Sequence, residues 1–426
     1  VTNEHTRRAL RRAATIAASL TLLAGLLSGC GGDVVPGSPH PAAPDLSGLD
    51  VGELPTEQSA APANDNDTYG RVLESVRLGE AVIKPTDFDK DLVYGGSALL
   101  PTAGRAAVLA PEIALEPIAE LGMIAGYAVN GTDDPNARGP KIGESKVLRL
   151  TVLSFREDPT ARLVAGRITA AAAALSPDTR RVDIPGFADA YAVSRPRSPV
   201  LVTAIAHQSY VVVVYVADRV PDTVALAART AAAITAELPL LDGFTPTASD
   251  KLSAMPFDSD GMLRRLLHPD PGKWPYPAAD PLGATPVDTT WFAFANGTGV
   301  VYGPRALSHL FGRGPATGET NHDDVERAAF AGNWWLLRLP DENHVATMYA
   351  RVLAKTAANG DIPASAPVGV PGSACFRAKD ADDNHRETRY RCYVSDGRYW
   401  AVITAQDEKT VRQRAAAQYA VLVRNR

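Results

Sequence analysis

The sequence predicts an α+β fold: two tandem copies of a two-layer antiparallel sheet/helix domain forming a pseudo-dimer, preceded by a signal peptide and a flexible linker. Three observations predict it. The body repeats itself at an offset of roughly 184 to 189 residues. Each repeat reads strand, long alanine-rich helix, loop, strand, hairpin strand, helix. Strands gathered by hairpins, with helices between and after them, settle as an antiparallel sheet with its helices on one face.

Residues 1–29 read as a lipoprotein signal peptide. Arg7, Arg8, Arg11 and Arg12 precede an uncharged apolar run over 13–29 that ends in small residues. Leu27-Ser28-Gly29-Cys30 resembles the lipobox of bacterial lipoproteins, in which the cysteine thiol carries a diacylglyceryl group. Cys30 is therefore the expected lipidation site, and its two acyl chains supply the two signals that stable anchoring needs. The expected location is the outer face of the cytoplasmic membrane or the cell envelope. Thr6-Arg7-Arg8-Ala9-Leu10 resembles the start of a twin-arginine signal, but the motif is degenerate and the general secretory route is the favoured expectation.

Residues 30–67 are the anchored cysteine and a linker rich in Pro, Ala, Gly, Ser and Asp, without hydrophobic period. As a flexible tether it spans roughly 35 Å on average. The first copy is placed at 68–241 and the second at 242–426. Ile184-Pro185-Gly186 matches Val370-Pro371-Gly372, each after an amphipathic stretch, 160–175 and 344–358. The strand-like runs Val147–Phe155 and Trp334–Leu339 precede those stretches. Tyr210–Val216 matches Tyr399–Thr404, and Val224–Leu238 matches Val411–Val423 as a closing helix. Val211–Val214 is apolar on both faces and belongs in the middle of a sheet. The front halves match more weakly, Gly70–Leu73 with Gly261–Leu263 and Val108–Pro111 with Val300–Pro304.

The lipobox, the opening Leu49-Asp50-Val51-Gly52-Glu53-Leu54-Pro55-Thr56-Glu57, the Ile184-Pro185-Gly186-Phe187 turn and the paired hairpins resemble a family of actinobacterial envelope lipoproteins catalogued as a domain of unknown function. The resemblance implies location and fold and carries no catalytic residues with it.

With Cys30 committed to lipid, Cys375 and Cys392 remain in an exported, oxidising setting. A hairpin centred near Asp383 brings them face to face, which predicts a disulfide. A redox or nucleophilic thiol is the competing reading, and no histidine–cysteine constellation supports it.

Composition narrows the function classes further. The chain of 426 residues is 45% hydrophobic and 21% charged, a globular mixture. Its net charge of −5 includes an arginine-rich leader, so the body is more acidic still and no nucleic-acid partner is expected. The membrane, through Cys30, is the one partner expected outright. No nucleophile elbow, Walker loop, His-Glu-x-x-His or Cys-x-x-Cys occurs, so no catalytic residues, cofactor or metal are assigned. Gly297-Thr298-Gly299 reads as a hairpin turn. Asp380-x-Asp382-x-Asn384 lacks the later positions of a calcium loop. Glu112, Glu116 and Glu120 share a helical spacing that Pro117 interrupts, and His207 reads as part of a hairpin turn opposite Asp396.

All five tryptophans lie in the second copy. Trp334 and Trp335 are consecutive in a strand and point to opposite faces. Trp274 and Tyr276 lie in a proline-rich loop. These four are the candidates for lining a ligand groove, against the plain reading of core filling. The leading functional expectation is a non-catalytic envelope lipoprotein that binds a small molecule, a lipid or an envelope protein through the second copy or the groove between copies. The alternatives are an exported hydrolase acting on envelope lipid or glycan, and a structural accessory subunit.

Overall fold

Two seven-stranded antiparallel sheets with the same strand order carry the molecule. The structure, a computed structural model, describes residues 44–57, 60–109, 114–136, 139–279, 297–310, 324–379 and 388–426. Residues 1–43, with the expected signal peptide and Cys30, lie outside the described residues, as do Glu112, Trp291, His322 and Asp380–His385.

The first sheet comprises β1 (Tyr94–Leu99), β2 (Ala125–Thr132), β3 (Val147–Ser154), β4 (Arg180–Arg181), β5 (Tyr191–Ser194), β6 (Val200–His207) and β7 (Tyr210–Ala217). Its spatial order is β1-β2-β3-β7-β6-β5-β4. A two-stranded ribbon pairs β8 (Ala278–Ala279) with β9 (Gly297–Thr298). The second sheet comprises β10 (Val300–Tyr302), β11 (Arg327–Ala331), β12 (Trp334–Arg338), β13 (Ile362–Ala364), β14 (Ala374–Arg377), β15 (Tyr390–Asp396) and β16 (Tyr399–Ala405). The order β10-β11-β12-β16-β15-β14-β13 repeats the first sheet strand for strand. The expected central strand β7 is the fourth of seven, as is its counterpart β16.

The hairpins that close the two sheets show the duplication at single-residue level. His207 pairs with Tyr210 across one turn and Asp396 with Tyr399 across the other. The first turn residue has positive φ in both, Gln208 at 50° and Gly397 at 54°, as a two-residue turn matched to strand twist demands. His207 therefore belongs to a turn, and its Nε2 lies 2.7 Å from Asp242 Oδ1.

The helices that cover the sheets and line the contact between copies are α1 (Asp67–Leu78), α2 (Asp158–Ala174), α3 (Thr223–Asp242), α4 (Pro304–Leu310), α5 (Glu342–Ala358) and α6 (Glu408–Arg424). Asp222, Asp341 and Asp407 cap α3, α5 and α6 by accepting from backbone N–H groups in the first turn. The capping aspartates of α3 and α6 occupy matching places in the two copies. By length and composition α3 could cross a membrane, with a mean hydropathy of 1.4. In this structure it instead lays Leu226, Ala233, Ile234 and Leu241 against the first sheet.

The helices do not gather on one face of each sheet. Val211 and Val213 of β7 pack under Ala161, Val164, Ala165 and Ile168 of α2. Val212, Val214 and Val216 face α3 on the other side. In the second copy Tyr393 and Trp400 lie under Tyr349 of α5, while Cys392, Val394 and Ala405 lie under Val411, Ala415 and Tyr419 of α6. The reason is already present in β7: a strand apolar on both faces needs a cover on each.

Three further expectations are corrected. The weak front match aligned Val300–Pro304 with Val108–Pro111, but β10 is the counterpart of β1 by sheet position. Pro304 opening α4 then corresponds to the Pro101-Thr102 segment before the helix Ala103–Leu109. Gly297-Thr298 is strand β9, with the positive φ at Gly299. The described part of the expected flexible linker is docked. Leu46, Leu49 and Val51 pack on the core under α6, Asp50 accepts from Gln413 at 2.8 Å, Glu57 pairs with Arg424, and Asn64 Nδ2 donates to the carbonyls of Leu252 and Met255. Residues 45–57 and 60–66 form a strap that crosses the second copy before α1 begins the first.

Asp45–Arg426 make one compact unit. One hydrophobic core runs through it, from Val212 and Val214 of the first sheet to Leu337 and Trp400 of the second. The contact between copies centres on α1, where Gly70 lies so close to the Leu252 backbone that a β-carbon would collide with it.

Candidate functional site

A cleft of about 580 Å³ opens where the copies meet. Helix α1 contributes Leu73, Val76 and Arg77, and the turn after it Glu80. The connection between copies contributes Thr245–Thr247, the segment after it Met255–Phe257, Ser259 and Asp260, and the edge of the second sheet Val301, Gly303 and Arg327. Leu73 and Val76 fall one turn apart, so both point from α1 to the cleft, and Arg77 follows at the rim.

The charged groups of this cleft hold one another. Glu74, buried behind Arg77, accepts from the Thr247 N–H and hydroxyl, each at 2.8 Å, and from Arg77 at 2.5 Å. Arg77 also donates to the Thr245 carbonyl and stacks over Phe244, 5.2 Å from the ring centre. Glu80 accepts from the N–H groups of Arg305 and Ala306, at 3.2 and 2.8 Å, and so caps α4 of the second copy. Arg327 donates to Asp260 at 2.7 Å and to the Glu326 carbonyl. The floor is apolar, from the nearly buried Leu73, Val76, Met255 and Phe257.

Of the four aromatic candidates, three belong to the core. Trp334 is 4% and Trp335 3% exposed. Trp334 donates to the Thr404 carbonyl and lies under Arg414, while Trp335 meets Trp400 edge-on at 5.0 Å. They do point to opposite faces, but each face is covered by a helix, so neither lines a groove. Trp274 is 9% exposed and packs edge-on against His268. Tyr276 is 45% exposed and stacks at 5.1 Å on Tyr69 of the first copy. Both tyrosines touch Phe257, the aromatic end of the cleft floor. The aromatic asymmetry between copies is thus mostly a matter of core volume: Trp400 and Tyr393 stand where Val211 and Ala204 lie in the first copy.

Cys375 and Cys392 are directly opposite across β14 and β15 and form a disulfide. Both are buried against α6. Near the cleft but walled off from it lie two buried titratable groups. Glu237 of α3 accepts from the Ile83 N–H at 2.9 Å, and burial pushes its carboxyl up to about 8. Burial, with Arg305 and Lys84 nearby, pushes His309 of α4 down to about 3. Among the described residues no three His, Cys, Asp or Glu side chains gather to hold a metal.

Arg77, Glu80, Met255 and Arg327 escaped sequence reasoning. Two proline-centred triplets, Thr245-Pro246-Thr247 and Met255-Pro256-Phe257, were the available signal for a built connection between copies.

Comparison with known proteins decides the family. Residues 61–257 match the N-terminal part, and residues 262–425 the C-terminal part, of a domain of unknown function, DUF7373. The chain belongs to this family. The two parts meet where the cleft lies, between Phe257 and Met262. No curated protein matches the sequence. Among solved structures, the extracellular domain of PknH from Mycobacterium tuberculosis aligns with 10% identity and a TM-score of 0.27, over 38% of this chain and 96% of that one.

Proposed function

We propose that this member of DUF7373 is an exported, lipid-anchored envelope protein that binds a ligand without transforming it, in the cleft between its two copies. The observation that carries the reading is the cleft itself. It is of small-molecule size, and its concave apolar floor is framed by polar groups from both copies. The anchor rests on the charged, apolar and Leu-Ser-Gly-Cys order of residues 1–30. An actinobacterial envelope origin rests on the resemblance of that order and of the opening at Leu49. The disulfide is consistent with an oxidising compartment.

Binding is favoured over hydrolysis by the state of the carboxylates. A hydrolase needs an acid or base free to meet substrate, often with a shifted pKa. Here Glu74, Glu80 and Asp260 are held by backbone or arginine donors. Among the described residues the one strongly raised carboxyl, Glu237, is fully buried outside the cleft lining.

Native mass spectrometry of the protein released gently from its host membranes tests the ligand. A bound mass that a Phe257→Asp variant loses supports the reading; bare protein mass from several preparations opposes it. Fractionation of Cys30→Ala tests the anchor, which fails if the variant stays with the membranes.

A further inference from the structure

We infer that the cleft selects an uncharged amphiphile: a hydrocarbon body over the apolar floor, with a hydroxyl or amide head at the polar rim. This rests on the cleft being the binding site and goes further by assigning ligand chemistry. Five apolar side chains from both copies, Leu73, Val76, Met255, Phe257 and Val301, offer surface to a hydrocarbon. The rim offers the exposed Ser259 and Thr245 for hydrogen bonding.

The ionic groups argue against a charged ligand. Arg77 is neutralised by Glu74 and fixed by Thr247 and the Thr245 carbonyl. Arg327 is neutralised by Asp260. An anion entering the cleft therefore meets no arginine without a carboxylate partner, and it approaches Glu80 as well. A cation meets Glu80, whose oxygens already accept two backbone N–H groups at the start of α4. An anion would lose its water without gaining an unpaired counter-charge, and a cation would have to draw on Glu80 oxygens already held by the N–H groups of Arg305 and Ala306, which is the costly case for either. A neutral one gains from the floor in proportion to the area covered.

Equilibrium dialysis of the full chain in phosphatidylcholine vesicles, with empty vesicles as the blank, tests this. Three water-soluble probes share one chain length: monooctanoylglycerol, octanoate and octylamine. The neutral probe should bind at least about tenfold tighter than either ion, with a Kd that changes less than about twofold between low and high salt, since charge screening has little to act on. Val301→Glu places a charge on the floor from an edge strand and should weaken the neutral probe at least about tenfold. Ser259→Glu, an exposed substitution at the rim that leaves packing untouched, should weaken it in the same sense. Tighter, salt-sensitive binding of octanoate or octylamine overturns the assignment while leaving the cleft a binding site. Saturable binding of none of the three overturns both.

Discussion

Replacing Glu237 by glutamine should change how the protein's stability depends on pH, and the size of the change follows from the burial of one carboxyl. Folded, the group titrates at about 8; unfolded, at its ordinary 4.5. Between those values the folded chain holds a proton that the unfolded chain has released. Stability therefore falls as pH rises through that window, by about 1.4 kcal/mol per unit and on the order of 5 kcal/mol across it. His309 works in the opposite sense: its folded value of about 3 lies below its ordinary 6.5. Over that window the unfolded chain binds the extra proton, so stability rises with pH. The two slopes cancel where the windows overlap, from 4.5 to 6.5, leaving a plateau with an acid limb set by His309 and an alkaline limb set by Glu237.

The second copy shows what the substitution should do. Gln418 of α6 anchors its own entry segment, accepting from the Leu267 N–H and donating to the Arg265 carbonyl, each at 2.7 Å. Glu237 anchors Ile83 through one oxygen, and among the described residues its other oxygen has no hydrogen-bond partner. Glutamine at 237 keeps the acceptor and cannot ionise. Urea melts followed by tryptophan fluorescence from pH 4 to 9 should show the variant holding its stability above pH 6.5 while the natural protein loses it. Parallel curves through pH 8.5 would refute the reasoning.

Three further outcomes are expected. Reducing the Cys375–Cys392 bond, or replacing both with serine, should cost about 3 kcal/mol for a loop of this size; an unchanged melting temperature under reductant contradicts this. Gly70→Ala, which in an exposed helix would stabilise by about 1 kcal/mol, should instead destabilise, because its β-carbon meets the Leu252 backbone; a raised melting temperature would show that the copies separate there at no cost. Leu49→Asp should loosen the strap and lower hydrogen-exchange protection in α6 more than in α3, and equal loss in both helices would mean that the strap is not local to the second copy.

How much of this was legible in the sequence depends on how far apart the partners are. The rear half of each copy, from β3 and β12 onward, follows from local signals: apolar runs, capping aspartates and tight hairpins. The cysteine pair was readable because its two strands are neighbours along the chain. The cleft was not, since Glu74 meets Thr247 and Glu80 meets Ala306 across 173 and 226 residues, and nothing local marks either partner. Periodicity placed Trp334 and Trp335 on opposite faces, but not what covers them. The strap was misread for a related cause. Its composition is that of a linker, and a few scattered apolar side chains, Leu46, Leu49, Val51, Leu54 and Ala61, carry the contacts that pin it.

That strap has a bearing on the order in which the chain acquires its structure. Asp50 and Glu57 find their partners, Gln413 and Arg424, more than 360 residues further along. A strand or helix of the first copy can form as soon as its neighbours are made, whereas residues 45–57 have no seat until α6 exists. Contacts of such separation are slow to form. The strap should therefore be among the last segments to gain protection during refolding, closing over a second copy already built, so that a chain stalled before α6 is made would carry its opening segment unseated.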